Sequence, residues 1–426
     1  MVGVASKNAP PPNVVVPHFV FGAVSFLVLT ILLFFNVEGI AGHYFNPKLL
    51  ALVHLTALGW ISMVIFGALY QLVPVVLDVK LHNEKLARVN FFIYALSIIV
   101  FVFAFWDLYA RSILFQAGGS LMFVSILIFS YNIMMSAFNA KRKLIAAKFI
   151  IASIFWFFTT AVFGLILVFQ LTNPFLDINH LQFLKAHAHF GLVGWFLLLI
   201  IGVSSRLVPM FLVTHNLNEK KLSFALYIIN IGLIALATTF FMELAVIYII
   251  ASAILIIIGI GSYVSFLIDA YKNRIKKVLD IGMQHTALSI LTLIFPVIFA
   301  MIAPFTFEGQ FELSQQSVLV YGLSILLGFI TSLLLGQTYK TLPFIVWLFE
   351  YRGKMGKGET PMPKDLYNEK IARIHYFTFA IGFLSLIAGV LVNYIPAMYT
   401  GAGFFVITAL LYNYNVIKII RHKAAF

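Results

Sequence analysis

Read as apolar and polar positions, the chain is a succession of long apolar runs separated by short polar ones. Twelve runs stand out, at about 18–36, 49–76, 88–106, 112–137, 147–171, 182–212, 222–242, 244–268, 282–303, 316–347, 372–393 and 397–418. Most reach the roughly 20 residues that a helix needs to cross a hydrocarbon core. The second, sixth and tenth are long enough to tilt or to project beyond it. The expected fold is all-α, a polytopic membrane protein of 12 transmembrane helices.

The pattern repeats. His54, Gly59, Trp60, Gly67 and Val73-Pro74 in the second run match His189, Gly194, Trp195, Gly202 and Val208-Pro209 in the sixth, always 135 positions on. A third copy in the tenth run, Gly328-Phe329, Gly336 and Leu342-Pro343, lies 134 further. There the histidine positions hold Tyr321 and Leu323. Asn83-Glu84-Lys85, Asn218-Glu219-Lys220 and Asn368-Glu369-Lys370 open the third, seventh and eleventh runs. Each offers a capping side chain and a carboxylate in the first turn. Recurrence on this scale sets the architecture. It predicts one transmembrane domain over residues 1–426, with three pseudo-symmetric four-helix units. The repeats fall at approximately 1–80, 81–215 and 216–350, and helices 11 and 12, at 366–420, complete the ring. An insertion around Arg352 to Asp365 displaces the third Asn-Glu-Lys copy.

Composition agrees with the runs. Hydrophobic residues make up 62% of the chain and charged ones 10%, and the mean hydropathy is +1.02. No soluble domain of this length has that balance. The absence of cysteine excludes disulfides, thiolate haem ligation and Cys-based zinc or iron–sulfur sites. A net charge of +13 invites a nucleic-acid partner until the charges are placed. All 28 Lys and Arg residues except Lys48, Arg111 and Lys185 fall in the two termini, in the loops after even-numbered helices or toward the ends of the runs that border them. The excess is therefore a topology signal that puts both termini in the cytoplasm, with lipid and no nucleic acid as the partner. Lys141-Arg142-Lys143 and the cluster from Lys272 to Lys277 are inner-leaflet anchors on this reading.

Against such a background the histidines matter, because polar groups inside a bilayer are costly and usually functional. The stretch Lys185-Ala186-His187-Ala188-His189-Phe190-Gly191-Leu192-Val193-Gly194-Trp195 opens the sixth helix. At about 100° per residue, His187 and His189 lie about 200° apart and serve different neighbours. With His54 they form an outer layer suited to haem iron, with Tyr321 at the same level of helix 10. Gly59, Gly191 and Gly194 would admit a macrocycle, or else serve close helix packing. Trp60 and Trp195 would pack along it. Lys48, Arg111 and Lys185 are candidates for pairing with its carboxylates, and Arg206 either snorkels or reaches a polar cofactor group. His18, His285 and His375 form an inner layer, in which His285 and His375 are further candidate metal ligands. No Asp or Glu stands mid-span, which argues against a proton pump.

Twelve helices in three units, both ends cytoplasmic and a histidine at the outer end of helix 2 resemble subunit I of the haem-copper oxidase superfamily. The run from His187 to Trp195 is similar to the His-x-His-x-Gly-x-x-Gly-Trp run of cbb3-type oxidase catalytic subunits. It also resembles the His-x-His run of nitric oxide reductase large subunits. The resemblance implies that His189 and His54 hold one b-type haem and that His187 faces a second. It thus implies haem b, one or two, with copper undecided. It further implies a bacterial cytoplasmic (inner) membrane location and, as partners, other respiratory membrane subunits with a cytochrome or quinol donor. Two departures stand out. The family carries the His-x-His run on helix 10 and an adjacent His-His pair on helix 7. Here the run is on helix 6, and no His-His pair exists. The expected function is electron transfer or binding of a diatomic gas (O2 or NO), without the usual copper site and with catalysis left open. The alternative is a haem-free descendant serving as a transporter or as a structural subunit of a respiratory assembly.

The charge distribution makes a direct prediction. Reporter fusions in the loop from Arg352 to Asp365 and at both ends of the chain should all report the cytoplasm. An external loop would overturn the layering of the histidines.

Overall fold

The computed structural model describes residues 8–40, 45–108, 110–139, 144–177, 179–306, 311–352, 354 and 360–424. His43, the Lys141-Arg142-Lys143 cluster and much of the insertion between Arg352 and Asp365 lie outside them. Twelve helices are long and apolar enough to cross a membrane. They are α1 (Pro12–Phe35), α2 (Pro47–Leu77), α3 (Glu84–Trp106), α4 (Ser112–Phe138), α5 (Ile145–Thr172) and α6 (His180–Leu212). The second half comprises α7 (Lys220–Phe241), α8 (Val246–Lys272), α9 (Ile281–Phe305), α10 (Gln315–Tyr351), α11 (Glu369–Leu391) and α12 (Ile395–Ile420). Among the described residues there is no strand. The largest shift from the hydropathy boundaries is at α1. Pro12 starts that helix early, since a proline in the first turn gives up no hydrogen bond.

Sequence neighbours pack side by side in three runs: α3 to α6, α7 to α10, and α11–α12–α1–α2. The last helix of each run is the most enclosed. Buried residues make up 72% of an 18-residue apolar stretch in α2, 78% in α6 and 72% in α10, against 22–50% in the others. The peripheral helices keep an apolar outer face, with Phe92 70%, Ile113 79% and Phe377 63% exposed. Such a surface suits lipid.

The three enclosed helices share an irregularity. Each changes from α to π winding, at Leu55–Ser62, Phe190–Leu197 and Ser324–Ile330. These segments start 135 and 134 residues apart, the offsets of the sequence repeat. Each begins just after His54, His189 or Leu323, the equivalent positions of the motif. At this level the helices are tied together. Trp195 donates Nε1–H to the Ser62 hydroxyl of α2 at 3.4 Å, and Trp60 donates to the Thr331 hydroxyl of α10 at 3.1 Å. Lower down, glycines let the neighbouring helix approach. A Cβ on Gly67, Gly202 or Gly336 would lie 2.7, 2.6 or 2.5 Å from the Cβ of His18, Phe149 or His285. Close backbone approach of this kind is how helices associate in lipid.

On the side that carries the termini, polar side chains close the helix ends. Asn83, Asn218 and Asn368 each accept backbone N–H groups at the start of α3, α7 and α11. Asn132 of α4 clamps both backbone groups of Asn83, and Asn415 of α12 does the same for Asn368. Asp280, which caps α9 through Met283 N–H, also joins Lys276 at 2.7 Å and Lys340 of α10.

This last cluster carries a pH dependence. Burial pushes the Asp280 carboxyl up, but the ammonium groups of Lys276 and Lys340 outweigh it and leave the group below its ordinary value. A carboxyl depressed in the folded state stabilises fully above its unfolded value of about 4, and the contribution fades as pH falls through the folded value. Asp280→Asn should therefore lower the melting temperature at neutral pH. The loss should be about 1 kcal/mol or less, because the group is partly exposed. Melting curves of variant and wild type should converge in acid. A gap that persists below the folded value would show that the cap, not the charge, is at work.

Candidate functional site

α6 enters the interior with His187 and His189 in its last α-turn, before π winding begins. They diverge as helical spacing requires. His187 turns toward α5 and α2, and its ring centre lies 6.2 Å from that of His54, with 22° between the planes. His189 turns toward α7 and α10, 5.4 Å from Phe240 and 5.9 Å from Tyr321, where the rings are 27° apart. The family resemblance paired His54 with His189; the structure sets His187 beside His54 instead. Rotation of α6 decides this. Gly194 seats against Trp156 and Gly202 against Phe149, both on α5, and that contact turns His187 to the α5–α2 side.

Hydrogen bonding fixes the chemical form of the three imidazoles. Nδ1 of His54 bonds the Leu50 carbonyl at 2.7 Å, Nδ1 of His187 that of Thr160 at 3.0 Å, and Nδ1 of His189 that of Lys185 at 2.8 Å. A carbonyl oxygen only accepts, so Nδ1 carries the proton in each neutral ring. Nε2 is then a lone pair, and for all three it has no partner among the described residues. Orientation of this kind is what a metal-binding imidazole requires.

His54 and His187 both line a cavity of about 390 Å³ between α2 and α6, walled by α3, α4, α5 and α10 and touched by α1. Phe101, Phe105, Phe115, Met122 and Phe157 make its sides apolar. Phe105 stacks at 5.2 Å on His54, and a Cβ on Gly164 would come within 3.0 Å of His187 Cε1. A side chain at this position would press on the imidazole. A second cavity, of about 410 Å³, lies between α6 and α10 and is walled by α7, α8 and α9. His189, Tyr321 and Lys185 line both.

The other sequence candidates sort clearly. Trp195 and Gly191 line the first cavity, with Trp195 stacked 4.1 Å from Phe157. Trp60 lies away from it, stacked on Phe26 at 4.8 Å and bonded to α10, and serves packing instead. Gly59 and Gly194 likewise seat neighbouring side chains. Of the outer cations Lys185 lines both cavities, with its ammonium 5.8 Å over the Phe240 ring, while Lys48 sits over Trp106 and Arg111 over Phe103. Arg206 lies 3.8 Å from Glu219 at the membrane edge, away from both cavities. In the inner layer His18, His285 and His375 are fully buried. His285 Nε2 and His375 Nδ1 are 3.3 Å apart, while His18 stands apart against Tyr70 and Phe91. Among the described residues no three or more His, Asp or Glu side chains group as for a metal ion. Sequence reasoning missed the Thr160 carbonyl, Gly164 and the phenylalanines of α3. None belongs to the repeated motif, and Gly164 alone leaves a trace, as a small residue in an otherwise bulky span.

No family model matches the chain. A protein of Aquifex aeolicus (strain VF5) that carries only the name "Uncharacterized protein" is 25% identical over 322 residues, covering 73% of this chain and 75% of its own.

The pairing of the rings can be checked without any cofactor, because the chain contains no native cysteine. His54→Cys combined with His187→Cys should be bridged rapidly by a short bis-thiosulfonate reagent. His54→Cys with His189→Cys should react several-fold more slowly, since His189 turns to Phe240 and Tyr321 while His187 lies beside His54. The reverse order of rates would restore the pairing implied by the family.

Proposed function

We propose that the chain is a haem-binding integral membrane protein in which His54 and His187 hold one haem between α2 and α6, and that it acts in electron transfer. The observation that carries this is the separation of the two rings. Two imidazoles sharing one iron at the ~2 Å of metal–nitrogen bonds have their ring centres about 6 Å apart. His54 and His187 are 6.2 Å apart with nearly parallel planes and unpartnered Nε2 atoms. The apolar walls and the volume of about 390 Å³ fall in the range of small-molecule and cofactor sites.

The chemistry of the donor set narrows the reading. With no cysteine in the chain, a haem here is held without thioether bonds, as a b type. When bound, it supplies a reversible one-electron couple. The chain's own groups do the rest. The Leu50 and Thr160 carbonyls orient the ligands, the aromatic walls exclude water, and Lys185, which lines the cavity, would offer a cation to a haem carboxylate. Because His54 and His187 would both be ligands, a haem held here would serve electron transfer better than gas binding. The basic loops support cytoplasmic termini, with the haem near the opposite face of the membrane.

Absorption spectra of the purified protein, oxidised and dithionite-reduced, test the reading. A low-spin b-type spectrum is expected. His54→Ala and His187→Ala should each reduce it more than about tenfold, since both ligands are required. His189→Ala should leave it in place. Loss of the same signal in His54→Ala and His189→Ala, with His187→Ala unaffected, would sink this assignment. A haem-free protein would return the chain to the alternative of a transporter or structural subunit.

A further inference from the structure

The second cavity has a different character. His189 and Tyr321 face each other across its end with almost the ring spacing of the haem pair, but one imidazole is replaced by a phenol. The Tyr321 hydroxyl, like Nε2 of His189, has no hydrogen-bond partner among the described residues. Beyond this pair and Lys185, whose ammonium sits 5.8 Å over the Phe240 ring, the lining is aliphatic and aromatic along α7, α8, α9 and α10. The cavity is therefore amphiphilic, with its polar groups gathered on α6 and at Tyr321 and apolar wall elsewhere.

Its wall toward the bilayer is the seam between α8 and α9. The equivalent seams, α4 with α5 and α12 with α1, are closely packed, and this one is the loosest of the three. α9 is itself interrupted at Leu293, between Ile281–Thr292 and Ile294–Thr306. The cause is local, because Pro296 has no N–H for the Thr292 carbonyl. Pro296, Val297 and Ala300 of the segment past the break line the cavity.

We propose that this cavity binds a membrane-soluble quinol, with its ring hydroxyls at His189 and Tyr321 and its tail directed along the α8–α9 wall. The imidazole decides between oxidised and reduced forms. Its Nδ1 proton is committed to the Lys185 carbonyl, so Nε2 accepts and needs a ligand that donates an O–H. Tyr321 both donates and accepts, which serves the second oxygen. The ligand needs no charge, and it reaches the site from the lipid. This inference goes beyond the haem reading and stands without it.

The test is equilibrium binding of tritiated decylubiquinol, kept reduced under argon, to the full-length protein in nanodiscs, with empty nanodiscs as reference. One saturable site per chain is expected. Tyr321→Phe, which keeps the ring, and His189→Ala should each weaken binding about tenfold or more. Phe92→Leu, on the lipid-facing surface of α3, should change it less than about twofold. Haem spectra on the same samples separate the two ideas. Quinol binding with this mutant pattern in a haem-free protein leaves the present inference standing and removes the haem. No saturable binding, or two haems per chain with one lost in His189→Ala, overturns it.

Discussion

How α2, α6 and α10 pass one another governs the rest of this protein. They are the enclosed helices, and all three unwind into π geometry at the same level. π winding is rare and is often found at functional sites. Here it cannot be a response to a ligand-binding residue, because α10 adopts it after Leu323 just as α2 and α6 do after histidine. The irregularity belongs to the packing. Two Trp–hydroxyl bonds hold the helices together at this level, and glycine contacts seat the outer helices below it. The backbone thereby presents the same positions to three inter-helix gaps, whatever side chains stand there.

Much of this was legible in the sequence. The spans follow from apolar runs bounded by asparagine caps, and a repeated Gly, Trp and Pro spacing marks α2, α6 and α10 as equivalent. Helical periodicity also separates His187 from His189. It cannot tell which of them turns to α2, because an angle between two residues says nothing of a helix's rotation about its own axis. In lipid that rotation is set by packing. The seating of Gly194 and Gly202 on α5 fixes it. Trp60 was misplaced for a related reason. The repeat equates it with Trp195, yet Trp195 lines the cavity while Trp60 is stacked on Phe26 and bonded to Thr331 away from it.

The inner histidines show the cost of reading residue type without neighbours. His18, His285 and His375 are fully buried. His285 and His375 share a hydrogen bond, and His375 Nε2 is left without a partner. An unpaired buried polar atom costs about 1–3 kcal/mol. These residues also do steric work, since His18 and His285 each cover the glycine of the helix they pack on. Phe149 fills the equivalent place against Gly202 without any polar atom. The fold therefore needs a flat side chain at that position, and it does not need an imidazole.

The same comparison applies to the outer layer and decides how its chemistry should be viewed. By the repeat, the residue pairs at the three gaps are His54 with His187, His189 with Tyr321, and Leu323 with Leu52. A frame that accepts imidazole, phenol or isobutyl at one position without changing its winding has separated architecture from function. Two carbonyl bonds then convert the first pair into matched lone pairs, and one converts His189 into a single acceptor beside a hydroxyl. The third pair has nothing to offer a polar ligand. Three chemically different gaps on one scaffold allow each site to change by single substitutions while the others keep their geometry. On the proposed reading, function in this chain resides in which of the three gaps carries imidazole nitrogen.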